Sequence, residues 1–448
     1  MRQLRLVLTT LVLLLMTACA GQNPVDGDPD GPNGGGENPP PVHDSEPLHD
    51  TIAYVRNGGD QIRLIDPEGT ADRALWAHGL ADDFDTYDVW NMVWNEAATE
   101  LAFVSTHENW CSIYTSDVFA IGADGEGYRR LTQAPSCADL ADYPSGTVQV
   151  PVRNDSFDAF SGFLYFQGAA SLQPVNLPAM GTGLVVFDDV ADLLGTGEDG
   201  FQIGSVIQGE ERMLAMTTAV DVSAGQTVTT TETHVYPPGT YWEVRSPTYH
   251  HDGSRIGHLL NFGSLWQLPT EPTPLEFGTS LVGDDATPDG FVALMAWGPT
   301  AATADLLLYA KSFGDTGVYL VEEGSGTPGE ALLTFDSFES IMGLAWLPDG
   351  SGFVYAVTEG DYFGDDRSAN LYLHDLASGV SEPVTTFVGD FAGQVSVSGD
   401  GNRFVFERAT DLEETGAALA DPDLWIVERD GSGLRLLVAD AYAPAWSH

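Results

Sequence analysis

Apolar and polar residues alternate in short runs along most of the chain, with a period of two and no sustained helical spacing. Leu344-Ala345-Trp346-Leu347 reaches Pro348-Asp349-Gly350, and Phe353-Val354-Tyr355-Ala356 leaves it. Proline presets φ, aspartate bonds its own backbone and glycine accepts a positive φ, so this stretch predicts two antiparallel strands joined by a tight reversal. The unit recurs. Ser398-Gly399-Asp400-Gly401 turns between Val395-Ser396-Val397 and Phe404-Val405-Phe406, and His250-His251-Asp252-Gly253 turns between Thr248-Tyr249 and Arg255-Ile256-Gly257. Trp94-Asn95-Glu96 and Trp297-Gly298-Pro299 head weaker copies that keep the strands and lose part of the turn. A third alternating run follows each copy, as in Leu371-Tyr372-Leu373, and then a fourth, as in Leu434-Arg435-Leu436. Four short strands at a pitch of roughly 50 residues predict an all-β fold, a β-propeller of four-stranded blades.

Six blades are legible, beginning near Thr51, Asn91, Trp242, Val292, Ile341 and Gln394. The irregular region 146–241 is long enough for more, so seven blades with an insertion or eight blades are expected. The first globular segment, Thr51 to Ile65, reads as second and third strands with no first strand ahead of it. The chain ends on Tyr442-Ala443-Pro444-Ala445-Trp446, which fits the missing strand. The C-terminal strand is therefore expected to complete the first blade and remove an exposed sheet edge.

The Trp-x-Pro-Asp-Gly-Ser turn with its third strand and following hairpin resembles the WD40-like, TolB-type propeller repeats of bacterial envelope proteins. The resemblance covers Asn91 to Gln133 and Trp242 to Ser447. It implies a fold more than a partner, because the α/β domain that precedes such propellers has no counterpart in this sequence.

The N-terminus changes the address. Residues 1–18 carry Arg2 and Arg5, an apolar run from Leu6 to Met16 and then small residues, the layout of an export signal. Met16-Thr17-Ala18-Cys19 resembles a bacterial lipobox, which implies cleavage before Cys19 and lipidation of its thiol. Ala20 stands where inner-membrane retention signals carry aspartate, so the resemblance implies an exported lipoprotein of the cell envelope, at the outer membrane where there are two. An ordinary secretory peptide is the alternative. Residues 19–48 are rich in Gly, Pro and acid, too poor in apolar surface to fold, and read as a tether to the propeller of 49–448.

The formal charge is −49, and Lys311 is the only lysine. Nucleic acid is excluded as a partner, because phosphate recognition needs clustered Lys and Arg. Contact with the membrane is expected through the lipid and not through a protein face that repels anionic headgroups. After Cys19, only Cys111 and Cys137 remain. In an exported chain a disulfide is the default for such a pair, with two buried free thiols as the alternative. A blade meander puts both at one face, within bridging reach.

Candidate chemistry gathers on that loop face. Asp361, Asp365 and Asp366 share one Gly-bounded loop and offer a site for Ca²⁺, the one cofactor the sequence suggests, although a solvated acidic loop is the plainer expectation. Glu413, Glu414, Asp421 and Asp423 supply a second acidic patch, and Trp110, Tyr362 and Phe363 suit a binding surface. Trp94, Trp297, Trp346 and Trp446 hold matching strand positions and read as core between blades. No Gly-x-Ser-x-Gly elbow and no His-Glu-x-x-His motif occurs. His250 and His251 form a conceivable zinc or catalytic pair, with a solvated turn the plainer expectation. The sequence thus leans towards a non-catalytic envelope module that binds a protein or a glycan. A hydrolase or lyase with carboxylates and a metal at the channel mouth is the alternative, and a Ca²⁺-stabilised spacer is a third.

Overall fold

The recurring reversal has one build. Asp349 Oδ1 accepts from the Ser351 backbone N–H at 2.9 Å and from its hydroxyl at 2.6 Å, while Gly350 takes φ +71°. Asp252 serves Ser254 in the same way, and Asp400 serves Asn402 and Ser398. These hydrogen bonds stabilise the ionised carboxyls and hold all three below their ordinary range.

In the computed structural model, residues 45–448 are described apart from 57–58, 60, 79–88, 195–201, 208–214, 236–242, 261–262, 277, 283–290, 313–314, 362–366 and 414–418. Cys19, the expected export signal and most of the expected tether lie outside the described residues. Antiparallel four-stranded blades begin at Val89–Trp94, Val244–Tyr249, Phe291–Trp297, Ile341–Trp346 and Phe391–Val397. A single parallel bridge, Ala369 to Phe391, joins the sheets of the last two. The first sheet runs Arg73–Ala77, Gln61–Ile65, Ile52–Arg56 and then Ala441–Trp446, with Ile52 opposite Trp446 and Ala53 opposite Ala445. The last strand of the chain is thus the inner strand of the first sheet.

Each inner strand carries a bulge near its start. Register slips between Trp90 and Val93, Arg245 and Thr248, Val292 and Leu294, Ile341 and Gly343, Ala392 and Val395, and Tyr442 and Ala445. Asn91, Ser246 and Ala443 take positive φ there, at 47°, 49° and 52°. A bulge raises local twist and leaves backbone groups outside the ladder. Those groups bond between blades: Ser246 Oγ accepts from Met295 N at 2.9 Å, and Asn91 Oδ1 accepts from Ser246 N at 3.3 Å. Glu407 accepts from Gln394 N at 3.1 Å and from Ala443 N at 2.7 Å, tying two bulges to one buried carboxylate.

Region 146–241 is built differently. Ser145–Asn154 pairs antiparallel with Thr182–Ala191, and Thr227–Thr229 and Thr233–Val235 run parallel to it. A second sheet contains Gln173–Leu177, Phe160–Phe166, Gly204–Ile207 and Ala215–Met216. Val148, Val150, Phe187, Leu164 and Phe166 share one buried cluster, which continues into Ile113 and Tyr114 of the second blade. The inner strand of the third blade packs directly on that of the second, and Ser116 Oγ bonds both the N–H and the C=O of Val244. Counted by inner strands, the described residues therefore form six blades, not the seven or eight expected. The surplus strands pair in parallel and across long separations, so they build a two-sheet insertion beside the ring instead of a hairpin quartet within it.

Candidate functional site

The six inner strands surround a cavity of about 300 Å³, and its lining comes only from them and the turns beside them. Met92, Leu294, Met295, Leu344 and Val395 make the wall largely apolar. The four tryptophans lie between blades, as their positions predict: Trp94 Nε1 donates to Ala445 O at 3.1 Å and Trp346 Nε1 to Ala296 O at 3.0 Å. At the turn end, Glu96 of the second blade meets His251 of the third, with 2.6 Å between Oε2 and Nδ1. His251 Nδ1 also lies 3.0 Å from Pro299 O of the fourth blade, and His448 completes this rim. A carboxylate and an imidazole in contact can exchange a proton or orient a polar group of a ligand.

The described members of the predicted site fall in separate loops. Asp361 and Glu413 are exposed, while Asp365, Asp366, Tyr362, Phe363 and Glu414 lie outside the described residues. Asp421 is exposed at φ 45°, and Asp423 Oδ1 accepts from Asp440 N at 2.9 Å, fastening the approach to the terminal strand. Trp110 is half-buried against the large core cluster, beside Cys111. Cys111 and Cys137 form a disulfide with Cα atoms 6.0 Å apart. Arg130, almost wholly buried beside it, donates to Cys111 O at 3.2 Å and to Pro135 O at 2.6 Å, and lies 3.5 Å from Glu108.

The histidine turn is not solvated as expected. His250 is 6% exposed, packed edge-on against Trp297 with ring centroids 4.8 Å apart, and His251 is partly buried. Sequence reasoning also passed over Glu96, which sits in a degraded copy of the turn, and Glu407, which reads as an ordinary polar position in an alternating strand. Burial pushes the Glu407 carboxyl up to about 7 against the pull of its two backbone donors. Asp117, buried near Arg130, is pushed up to about 6 by the same desolvation.

No protein-family model matches the sequence, and no curated protein sequence matches it. Among solved structures, the chain is similar to TolB from Acinetobacter baumannii at 12% identity and TM-score 0.45, covering 89% of this chain and 66% of that one. It is also similar to a chain of a nidogen/laminin complex, at 7% identity and TM-score 0.44, covering 88% and 97%. A puromycin hydrolase S511A mutant complexed with PGG shows 15% identity and TM-score 0.41, covering 88% and 52%. This chain thus spans just under two thirds of the TolB protein's length. The propeller architecture itself rests on the four-stranded sheets and the cavity their inner strands share.

Proposed function

We propose that this protein is a non-catalytic binding propeller of the bacterial cell envelope, anchored by lipid on Cys19 and taking a segment of a partner protein at the turn end of its central cavity. The observation that carries the reading is the cavity itself. Six inner strands give it an apolar wall of Met, Leu and Val, and its rim places Glu96, His251 and His448 around it. Apolar walls with a few placed polar groups are the general build of a binding pocket. A bound segment buries apolar side chains against the wall and meets the Glu96–His251 pair with its own polar groups.

The lipobox resemblance and the unfoldable tether support the address, with the outer membrane as its site in a two-membrane cell. Radiolabelled palmitate should enter the wild-type chain and not Cys19→Ser. Tagged full chain solubilised from envelopes should retain a partner that the double variant Glu96→Ala/His251→Ala releases, with the fold checked by circular dichroism. Equal retention by the two would remove the rim from the account. Turnover of a substrate by the purified chain, lost in the same variant, would favour the enzymatic alternative.

A further inference from the structure

His250 has one ring nitrogen too many for its surroundings. Nδ1 meets Asp252 Oδ1 at 2.7 Å, the second residue on in the same turn. Nε2 is fully buried and has no hydrogen-bond partner. Burial of an unpaired polar atom costs about 1–3 kcal/mol, so a residue that is only 6% exposed, with an idle lone pair or N–H, calls for an occupant. Two carboxylates stand within reach. His250, Asp305 and Glu323 each offer one ligand-type atom, and those atoms lie within 4.8 Å of one another.

The three come from rigid, adjoining parts of two blades. His250 sits in the first turn of the third blade, with its N–H bonded to Arg255 O at 2.9 Å. Asp305 immediately precedes the second strand of the fourth blade, Leu306–Ser312, and Glu323 immediately follows the third, Gly317–Glu322. The backbones of these two acids are joined by Glu323 N to Asp305 O at 2.8 Å. Arg255 and Gln267 both donate to Glu323 Oε1 and orient its carboxylate. Arg255 also lies over the Trp297 ring at 5.1 Å, and Trp297 Nε1 is a second buried atom without a partner. Asp252, Asp305 and Glu323 set against Arg255 leave a formal surplus of two negative charges around the imidazole.

We propose that His250 Nε2, Asp305 and Glu323 form a binding site for a divalent transition-metal ion of the zinc class. A borderline imidazole nitrogen with two carboxylates suits Zn²⁺, Co²⁺ or Mn²⁺ and does not suit the all-oxygen preference of Ca²⁺ or Mg²⁺. Asp252 plays the outer partner, since a carboxylate on the far nitrogen fixes the tautomer and raises the basicity of the ligating one. Ligand atoms around a tetrahedral ion at about 2.1 Å lie roughly 3.4 Å apart, so binding draws the exposed Asp305 inward by about an ångström. Water fills the remaining position. The ion clamps the third blade to the fourth at the turn face, close to the Glu96–His251 rim but with other ligands.

The test is Co²⁺ titration of the chelator-treated full chain, read by visible absorption, with Mg²⁺ in large excess to occupy diffuse sites on so acidic a protein. One saturable equivalent, displaced by Zn²⁺, is expected. Asp305→Asn, a change at an exposed side chain, should weaken binding at least ~10-fold, as should His250→Gln, while Glu96→Gln leaves it unchanged. No saturable Co²⁺ spectrum in the wild type would overturn the proposal. So would wild-type affinity in Asp305→Asn, or loss of binding in Glu96→Gln, which would move the ion to the rim.

Discussion

The ring and the insertion are made of the same material and are held together in different ways. In the ring, each blade is a local meander whose reversals are written by Asp-Gly turns, and contacts between blades run through bulged inner strands and the tryptophans beside them. In the insertion, Thr227–Thr229 pairs with residues about eighty positions earlier, in parallel, and no short turn sets that register. Exposure differs accordingly. Among the described residues, five of the ten exposed large apolar side chains, Phe157, Phe163, Met180, Leu184 and Val186, belong to the insertion. Its strand Thr182–Ala191 is a sheet edge, blunted by a bulge at Asp188 and Asp189. Bulges and charges on an edge discourage pairing with another chain, so the insertion manages a liability that the blade meander meets with short outer strands.

The largest expected effect sets one buried aromatic from each region against the other. Trp446, 1% exposed, donates through Nε1 to Asp50 at 2.9 Å and joins the terminal strand to its neighbours. Trp446→Ala should cost about 4 kcal/mol in denaturant unfolding and speed hydrogen exchange throughout the ring. Phe187, equally buried, should cost about as much on truncation to Ala, with faster exchange concentrated in 145–235. Equal spreading of the two effects would erase the distinction between ring and insertion.

Next is pH. Glu407 keeps a proton in the folded ring up to about 7, well above the unfolded carboxylate range. Its contribution is therefore fully present at low pH and is lost as pH rises through 7. By linkage this amounts to about 3 kcal/mol across that window. Asp117, raised to about 6, acts in the same direction. Glu407→Gln, which cannot ionise, should flatten the decline between pH 5 and 8 to roughly the part due to Asp117. An unchanged slope would break the link between the bulges and this carboxylate.

A smaller effect separates bulge geometry from bulge bonding. Ser246→Ala loses the bond to Met295 and keeps a side chain at φ 49°, and should cost about 2 kcal/mol. Ser246→Gly relieves the backbone and should cost about half that. The smallest lies on the insertion surface: Leu184→Thr, at a position 57% exposed, should stay within about 0.5 kcal/mol in stability and reduce self-association seen by light scattering.

Much of the ring was readable because its signals are local. Pro348-Asp349-Gly350 declares a reversal whatever lies elsewhere, and the tryptophan before it declares a packed inner strand. The blade count was misread because strand alternation in 146–241 looks the same whether its partners are sequential or remote. The bulges at Asn91, Ser246 and Ala443 carry no glycine to announce a positive φ, and Ser246 reads as a polar strand residue until Met295 is beside it. The rim pair was hidden for the same reason. Glu96 and His251 stand more than 150 residues apart, and only the packing of the third blade on the second brings them together.

Site-specific photo-crosslinking most directly decides whether binding belongs to the ring or to the insertion. A photoreactive residue at Pro299, on the rim, and one at Phe157, on the insertion, would each be irradiated in intact envelopes. The account predicts one discrete adduct from Pro299, lost when Glu96 and His251 are both changed to Ala, and none from Phe157. A discrete adduct from Phe157 alone would contradict it and make the insertion the binding part of the molecule.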